Sequence, residues 1–412
     1  MTFKSRGSRL KGSTQYLERS IMSNTPPELM KFFNGKIVEN MTDWQDRSTE
    51  ILKYFQNEVY GLPPYLHCKT KLELIEEGNV SDLINCKREQ YQLKIIFDKK
   101  EISVNILVYK PLHIPVKATF LGLIFLGNQT VSFDKNIRIG NNYVRNYNVI
   151  DSYLKENKLG ESSRGIRASS YPIQNIVNQG FSLMTACHGD ICPDHESMYL
   201  KEGAFPLCNS KGEEANEWGA ISAWAWGLSQ IVNHVDEIKS LNSSKVILFG
   251  HSRLGKTALW SAAQDQRIMG VIANQSGCLG AKLHARKEGE KFSDIQKNFP
   301  HWFCKKFYGY QEETLKVDQH CLLALMAPRP VYVASAEEDL WCDPTGQFTA
   351  LQMSQPAYNL YGIKQTSLAK EPKVDQPVID WLAYHNRKGD HSLKDYDWTQ
   401  YMKWADKISA IK

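Results

Sequence analysis

The residues of this 412-residue chain best placed for covalent chemistry lie in the stretch Val246-Ile-Leu-Phe-Gly-His-Ser-Arg-Leu-Gly-Lys256. An apolar, strand-forming run, Val246 to Phe249, leads into Gly250 and then Ser252. A helix-compatible segment, Lys256-Thr-Ala-Leu-Trp-Ser-Ala-Ala263, follows. Strand, glycine, serine, helix is how a nucleophile elbow is built. The tight turn lifts the hydroxyl to the carboxyl end of a sheet, beside backbone N–H groups and the positive end of a helix. The generic pattern has a small residue two positions after the serine. Here that position is Leu254, and the glycine comes one later, at Gly255.

A serine hydroxyl becomes nucleophilic only when a base removes its proton, and the base needs an orienting acid. On a strand–elbow–helix frame the partners follow in the order serine, acid, histidine. Two late histidines qualify. His391 follows a glycine-containing turn at Gly389, whereas His385 lies in an apolar stretch and is expected to pack. For the acid, the strand after the elbow ends at Ala273-Asn-Gln-Ser-Gly277, where Asn274 and Gln275 are neutral. The next strand ends at Ser335-Ala-Glu-Glu-Asp-Leu-Trp341, with carboxylates at Glu337, Glu338 and Asp339. Asp339 is preferred, because a short side chain after a turn reaches inward rigidly; Glu338 is the alternative.

The elements that must hold these groups are legible as periodicities. Trp44, Ile51, Leu52, Phe55 and Val59 fall at helical spacing over 43–60, ended by Gly61-Leu-Pro-Pro64. Tyr91, Leu93 and Ile95, then Ile102, Val104, Ile106 and Val108, alternate about Asp98-Lys-Lys100 as a hairpin over 90–110. Ala118–Phe125, Gly180–Ala186, Ile268–Asn274 and Arg329–Ser335 read as buried strands. The interval 130–170 is polar and irregular and reads as a long loop or small insertion. Trp218, Ile221, Trp224, Leu228, Ile231 and Val235 mark a helix whose tryptophans face a core. Trp381 to Trp404 closes the fold. Strands alternating with helices imply an α/β fold, a mostly parallel sheet covered by helices on both faces. Residues 1–25 read as a disordered N-terminal segment and 26–412 as a single α/β domain.

Composition excludes several classes. A formal charge of +5 with no basic tract gives no indication of nucleic-acid binding. No apolar run is long enough to span a bilayer. Residues 1–20 lack the apolar core of a signal peptide. The nine cysteines are scattered and define no disulfide framework. Cys187, His188, Asp190, Cys192, Asp194 and His195 cluster, but no second ligand set at zinc spacing accompanies them, so a polar loop is the simpler reading and no metal is expected.

Taken together, Gly250-His-Ser-Arg-Leu-Gly-Lys256, Phe299-Pro-His-Trp-Phe-Cys304, Val317-Asp-Gln-His320, Ala327-Pro-Arg-Pro330, Ser335 to Trp341 and Gly389-Asp-His391 resemble carbohydrate esterase family 15, the glucuronoyl esterases, in their bacterial form. The resemblance runs in order from about residue 30 to 408. In that family the extra residue between serine and glycine is normal. The resemblance implies an α/β-hydrolase fold and cleavage of the ester between 4-O-methyl-glucuronoyl groups of xylan and lignin alcohols, with no cofactor. It matches Ser252 to the nucleophile, His391 to the base and Arg253 to an oxyanion-holding residue. Lys256, Trp341 and Glu290 match residues that bind the uronate ring. Gln275 stands where many members carry a catalytic glutamate, so the chain resembles those using an acid at the place of Asp339. The expected partner is a glucuronoxylan or lignin–carbohydrate ester, with no nucleic acid or membrane, and a monomer is expected. A cell-wall substrate suggests export, although no signal is visible. The rival expectations are another carbohydrate esterase, such as one removing acetyl groups from xylan, and a catalytically inactive carbohydrate-binding relative.

Overall fold

The structure is a computed structural model that describes residues 25–63, 68–145, 148–208 and 218–410. The expected N-terminal segment lies outside this range, save its last residue. In chain order the strands are β1 (Lys69–Asn79), β2 (Cys86–Phe97), β3 (Lys100–Pro111), β4 (Thr119–Ile124), the short ribbon β5 (Leu154–Lys155) and β6 (Lys158–Leu159), β7 (Ser182–Cys187), β8 (Val246–His251), β9 (Gly270–Asn274), β10 (Val331–Ala336) and β11 (Leu382–Arg387). All but the ribbon form one nine-stranded sheet in the order β1-β2-β3-β7-β4-β8-β9-β10-β11. The first three strands run antiparallel and join β7 antiparallel; from β7 to β11 every pairing is parallel.

Helices cover both faces. The main ones are α1 (Met41–Phe55), α2 (Ala220–Val232), α3 (Arg253–Gln264), α4 (Pro344–Leu360) and α5 (Asp395–Ser409). Strand alternation sorts the core. Val246 and Leu248 of β8 pack with Trp44, Trp224 and Trp260 beneath α1 to α3. Ile247 and Phe249 pack on the other face with Phe120, Trp398 and Trp404 of α5. The tryptophan stripe is core, as its spacing predicts: Trp224 of α2 and Trp218, just before the helix begins, are buried. The hairpin turns at Asp98-Lys99 as expected, with Phe97 opposite Lys100.

Three elements depart from the sequence reading. The first helix ends in a π-helical turn, Gln56–Tyr60, rather than continuing as α-helix. β1 was not anticipated: Lys-Thr-Lys-Leu-Glu-Leu-Ile-Glu-Glu is dense in charge because it forms the sheet edge, where Lys and Glu deter pairing with another chain. The 17-residue α4 was also missed; it carries Pro356 internally and starts at Pro344 behind Asp343, whose side chain accepts from Gly346 N–H. Proline at the first helical position is tolerated because its N–H would be unused there.

Candidate active site

The carboxyl ends of β8, β9, β10 and β11 converge, and each delivers one part of the site. Ser252 follows β8 at φ 56°, ψ −131°, a region non-glycine residues rarely occupy. Its N–H donates to Asn274 O at the end of β9 (2.9 Å), and its carbonyl accepts from Gly255 N–H (2.9 Å) and Lys256 N–H (3.3 Å) as α3 begins. The two glycines explain the spacing of the turn. A Cβ on Gly250 would lie 2.0 Å from Leu254 O, and one on Gly255 would lie 2.9 Å from Ser276 Cβ and 3.0 Å from Gly250 O. Strand and helix cross so closely that both positions need glycine. Leu254 meanwhile turns into the core. The displaced glycine is thus the residue facing β8 and β9.

His391, in the loop after β11, places Nδ1 2.7 Å from Asp339 Oδ2. This contact fixes a proton on Nδ1 and leaves Nε2 as the acceptor. The Asp339 side chain is 2 % exposed and that of His391 38 %. Asp339 is itself held by Cys342 N–H on Oδ1 (3.3 Å). The His391 ring lies 4.5 Å from that of His251, the residue before the serine. Burial, followed by the charge of His391, pushes the His251 pKa well below its ordinary value, so His251 stays neutral beside the elbow. Glu337 and Glu338 are exposed, their N–H groups donating to Arg387 O (2.8 Å) and Gly389 O (3.1 Å). His385 packs inside β11 between Tyr332 Oη and Asp397 Oδ1, 2.8 Å from each.

Gln275, fully buried past β9, reaches the same loop from the other side. Its Oε1 accepts from Ser392 N–H (2.9 Å) and its Nε2 donates to Asp390 O (3.3 Å), so the amide brackets His391.

A family model for the fungal glucuronyl esterases matches residues 127–362. Over 405 residues the chain is 35 % identical to the carbohydrate esterase MZ0003 of an unknown prokaryotic organism, spanning 95 % of this chain and 91 % of that one. The structure superposes on the glucuronoyl esterase from Solibacter usitatus with a TM-score of 0.84 at 33 % identity, covering 94 % of this chain and 98 % of that one. A promiscuous family 15 esterase from a marine bacterial metagenome gives the same TM-score, 0.84, at 33 % identity, over 93 % of this chain and 96 % of its own.

The chain belongs to carbohydrate esterase family 15, the glucuronoyl esterases.

This esterase is a carboxylic ester hydrolase with an α/β-hydrolase fold, and its remaining expected site residues lie around the elbow. Arg253 opens α3, 8 % exposed, with its guanidinium 4.7 Å over Phe125 and 5.4 Å over Trp302. Lys256 Nζ donates to Glu290 Oε2 (2.8 Å) and to Ser276 O (2.9 Å). Lys256, Glu290 and Arg253 are all buried, so neither cation is the solvated charge common at a helix start. Glu290 Oε2 also accepts from Cys278 N–H (3.0 Å). Glu290 N–H donates to Trp341 O (2.7 Å), tying the carboxylate to the turn that carries Trp341. Trp341 is 50 % exposed and Leu340 72 %, an apolar rim in which Trp341 supplies a flat ring and an N–H.

The Cys187–His195 cluster is not a solvated polar loop; most of it is buried, each group with its own partner. His188 Nδ1 lies 3.0 Å from Ile124 O, Asp190 accepts from Asn105 N–H (2.9 Å), and Asp194 accepts from His301 and Trp302. Sequence spacing gave none of the contacts of Asp194, Gln275 and Cys342, since their partners are distant in the chain. Among the described residues Asp339, Cys342 and His391 bring an oxygen, a sulfur and a nitrogen within 4.8 Å of one another, the grouping a metal would need. The Cys342 thiol donates to Gln275 O (3.1 Å), and burial pushes its pKa well up, which favours the protonated form rather than the metal-binding thiolate.

Proposed function

We propose that this chain hydrolyses the ester between 4-O-methyl-glucuronoyl groups of xylan and lignin-type alcohols through a Ser252–His391–Asp339 triad and an acyl-enzyme. The observation that carries the reading is the 2.7 Å contact between His391 and Asp339, on a loop whose ring lies against the residue preceding the strained serine. His391 Nε2 takes the Ser252 proton as Oγ attacks the C6 carbonyl carbon. The carbonyl oxygen becomes an oxyanion, and Arg253 stabilises it with a charge-assisted hydrogen bond. The C6–alcohol bond breaks and His391 returns the proton to the leaving alkoxide. A water, deprotonated by His391, then attacks the acyl carbon, and Ser252 leaves with the proton restored. Lys256 and Glu290 hydrogen-bond ring hydroxyls, and Trp341 lies along the sugar face.

One relative is a promiscuous esterase, so the acyl group is the point to test. Turnover of benzyl glucuronate should exceed that of an acetylated xylo-oligosaccharide, and Ser252→Ala should abolish both. Cleavage of the acetyl substrate alone would replace the uronoyl reading with a deacetylase. Activity unchanged in Ser252→Ala would remove the serine mechanism.

A further inference from the structure

Two sequence stretches stay outside this cycle: the cluster from Cys187 to His195 and the segment Phe299-Pro-His-Trp-Phe-Cys304. They meet at Asp194. Its side chain is 1 % exposed. Oδ1 accepts from His301 Nε2 and from Trp302 Nε1, each at 2.8 Å. Oδ2 lies 2.9 Å from Arg253 Nε. The Trp302 ring that faces the Arg253 guanidinium is itself stacked on Phe299, with centroids 3.6 Å apart and planes 6° apart. One buried carboxylate is thus clamped by two ring N–H groups and presents its second oxygen to the arginine beside the nucleophile.

The arrangement exceeds what packing requires. A neutral amide oxygen could accept from His301 and Trp302, but only a carboxylate balances a guanidinium that is itself nearly buried. An oxyanion donor works by being in place before charge develops, and an arginine has several rotatable bonds by which to miss. We propose that Asp194 is a positioning residue: held by His301 and Trp302, it pairs with Arg253 through the ion contact at Nε and balances its charge, so that the guanidinium meets the oxyanion without rearranging. The proposal rests on the reading of Arg253 as an oxyanion donor.

The test is a double-mutant cycle with Asp194→Asn and Arg253→Ala, reading kcat and KM on benzyl glucuronate alongside the thermal midpoint. Asp194→Asn should lower kcat about 10- to 100-fold with KM changed less than about threefold, because the interaction matters in the transition state. In the Arg253→Ala background the same substitution should lower kcat by less than about threefold, since the group it acts through is gone. Equal losses in both backgrounds would mean a merely structural role and overturn the proposal, as would no loss in the parent. If Arg253→Ala itself leaves kcat unchanged, the oxyanion reading of Arg253 fails, and that outcome is distinct from a loss on Arg253→Ala without one on Asp194→Asn. Should Asp194→Asn not fold, Trp302→Phe keeps the ring stack and removes one donor to Asp194. Its kcat loss must likewise vanish in the Arg253→Ala background.

Discussion

The ends of β9 and β10 approach the same histidine loop with opposite chemistry. At the end of β10, Asp339 is a buried carboxylate that meets the imidazole itself. At the end of β9, Gln275 is a buried amide that meets the backbone on either side of the imidazole, accepting from Ser392 N–H and donating to Asp390 O. A carboxylate at 275 would face the Asp390 carbonyl with a second acceptor; the amide supplies the donor that carbonyl needs. The comparison teaches that one strand end meets the imidazole ring and the other meets the backbone that carries it. Neutrality at 275 then follows from the loop it supports and is no sign of a decayed site.

The largest effect should come from Asp339→Asn. It removes the charge that stabilises the imidazolium and permits the wrong tautomer, so kcat on a glucuronate ester should fall roughly 10³- to 10⁴-fold with little change in KM. Gln275→Ala should fall well short of that, about tenfold in kcat, with about 1–2 kcal/mol less stability from two lost hydrogen bonds in denaturant unfolding. Equal losses for the two variants would erase the distinction between charge and position.

Asp190 sharpens the comparison as a half-buried carboxyl whose described side-chain bonds are both to Asn105, through N–H (2.9 Å) and Nδ2 (3.1 Å). Burial raises its pKa to about 6 despite those two bonds. The folded state therefore binds more protons than the unfolded chain between about pH 4 and 6, and stability falls as pH rises through that window. Asp190→Asn should raise stability by about 1–2 kcal/mol at pH 7.5, after allowance for the group's partial exposure, with no gain below about pH 4. A thermal-midpoint gain of equal size at both pH values would show that removing the charge is not its cause. Asp194, four residues on, shifts the other way. Burial pushes its pKa up, but the hydrogen bond and charge of His301, the charge of His188 and the Trp302 bond together hold it below the usual carboxylate range.

Much of the sheet was legible because buried parallel strands are continuous apolar runs and a half-buried hairpin alternates strictly. β4, β7, β9 and β10 start and end within a few residues of the expected positions. β1 and α4 were not legible. No residue of β1 is fully buried, so no apolar face imposes a pattern, and an internal proline masks a helix whose neighbours hold it. Around the elbow, local order gave Ser252 its strand and helix, chain order narrowed the acid and the histidine, and loop placement and side-chain length favoured His391 and Asp339. The lesson of Leu254 is different. Its placement looked like a flaw in the elbow, and the crossing of β8 and α3 turns it into a packing requirement that sets Gly255 against Ser276.

By itself the sequence determined the α/β class, the strand–serine–helix turn and a short choice of acids, because these depend on local periodicity and on the order of elements along the chain. Only the tertiary structure decided that Asp339 meets His391 while Glu337 and Glu338 face solvent, that Gln275 brackets the histidine loop, and that Asp194 lies in ion-pair contact with Arg253. Each of those is a contact between residues far apart in the chain. Register and burial, rather than residue type, select which of several chemically equivalent side chains comes within hydrogen-bond reach.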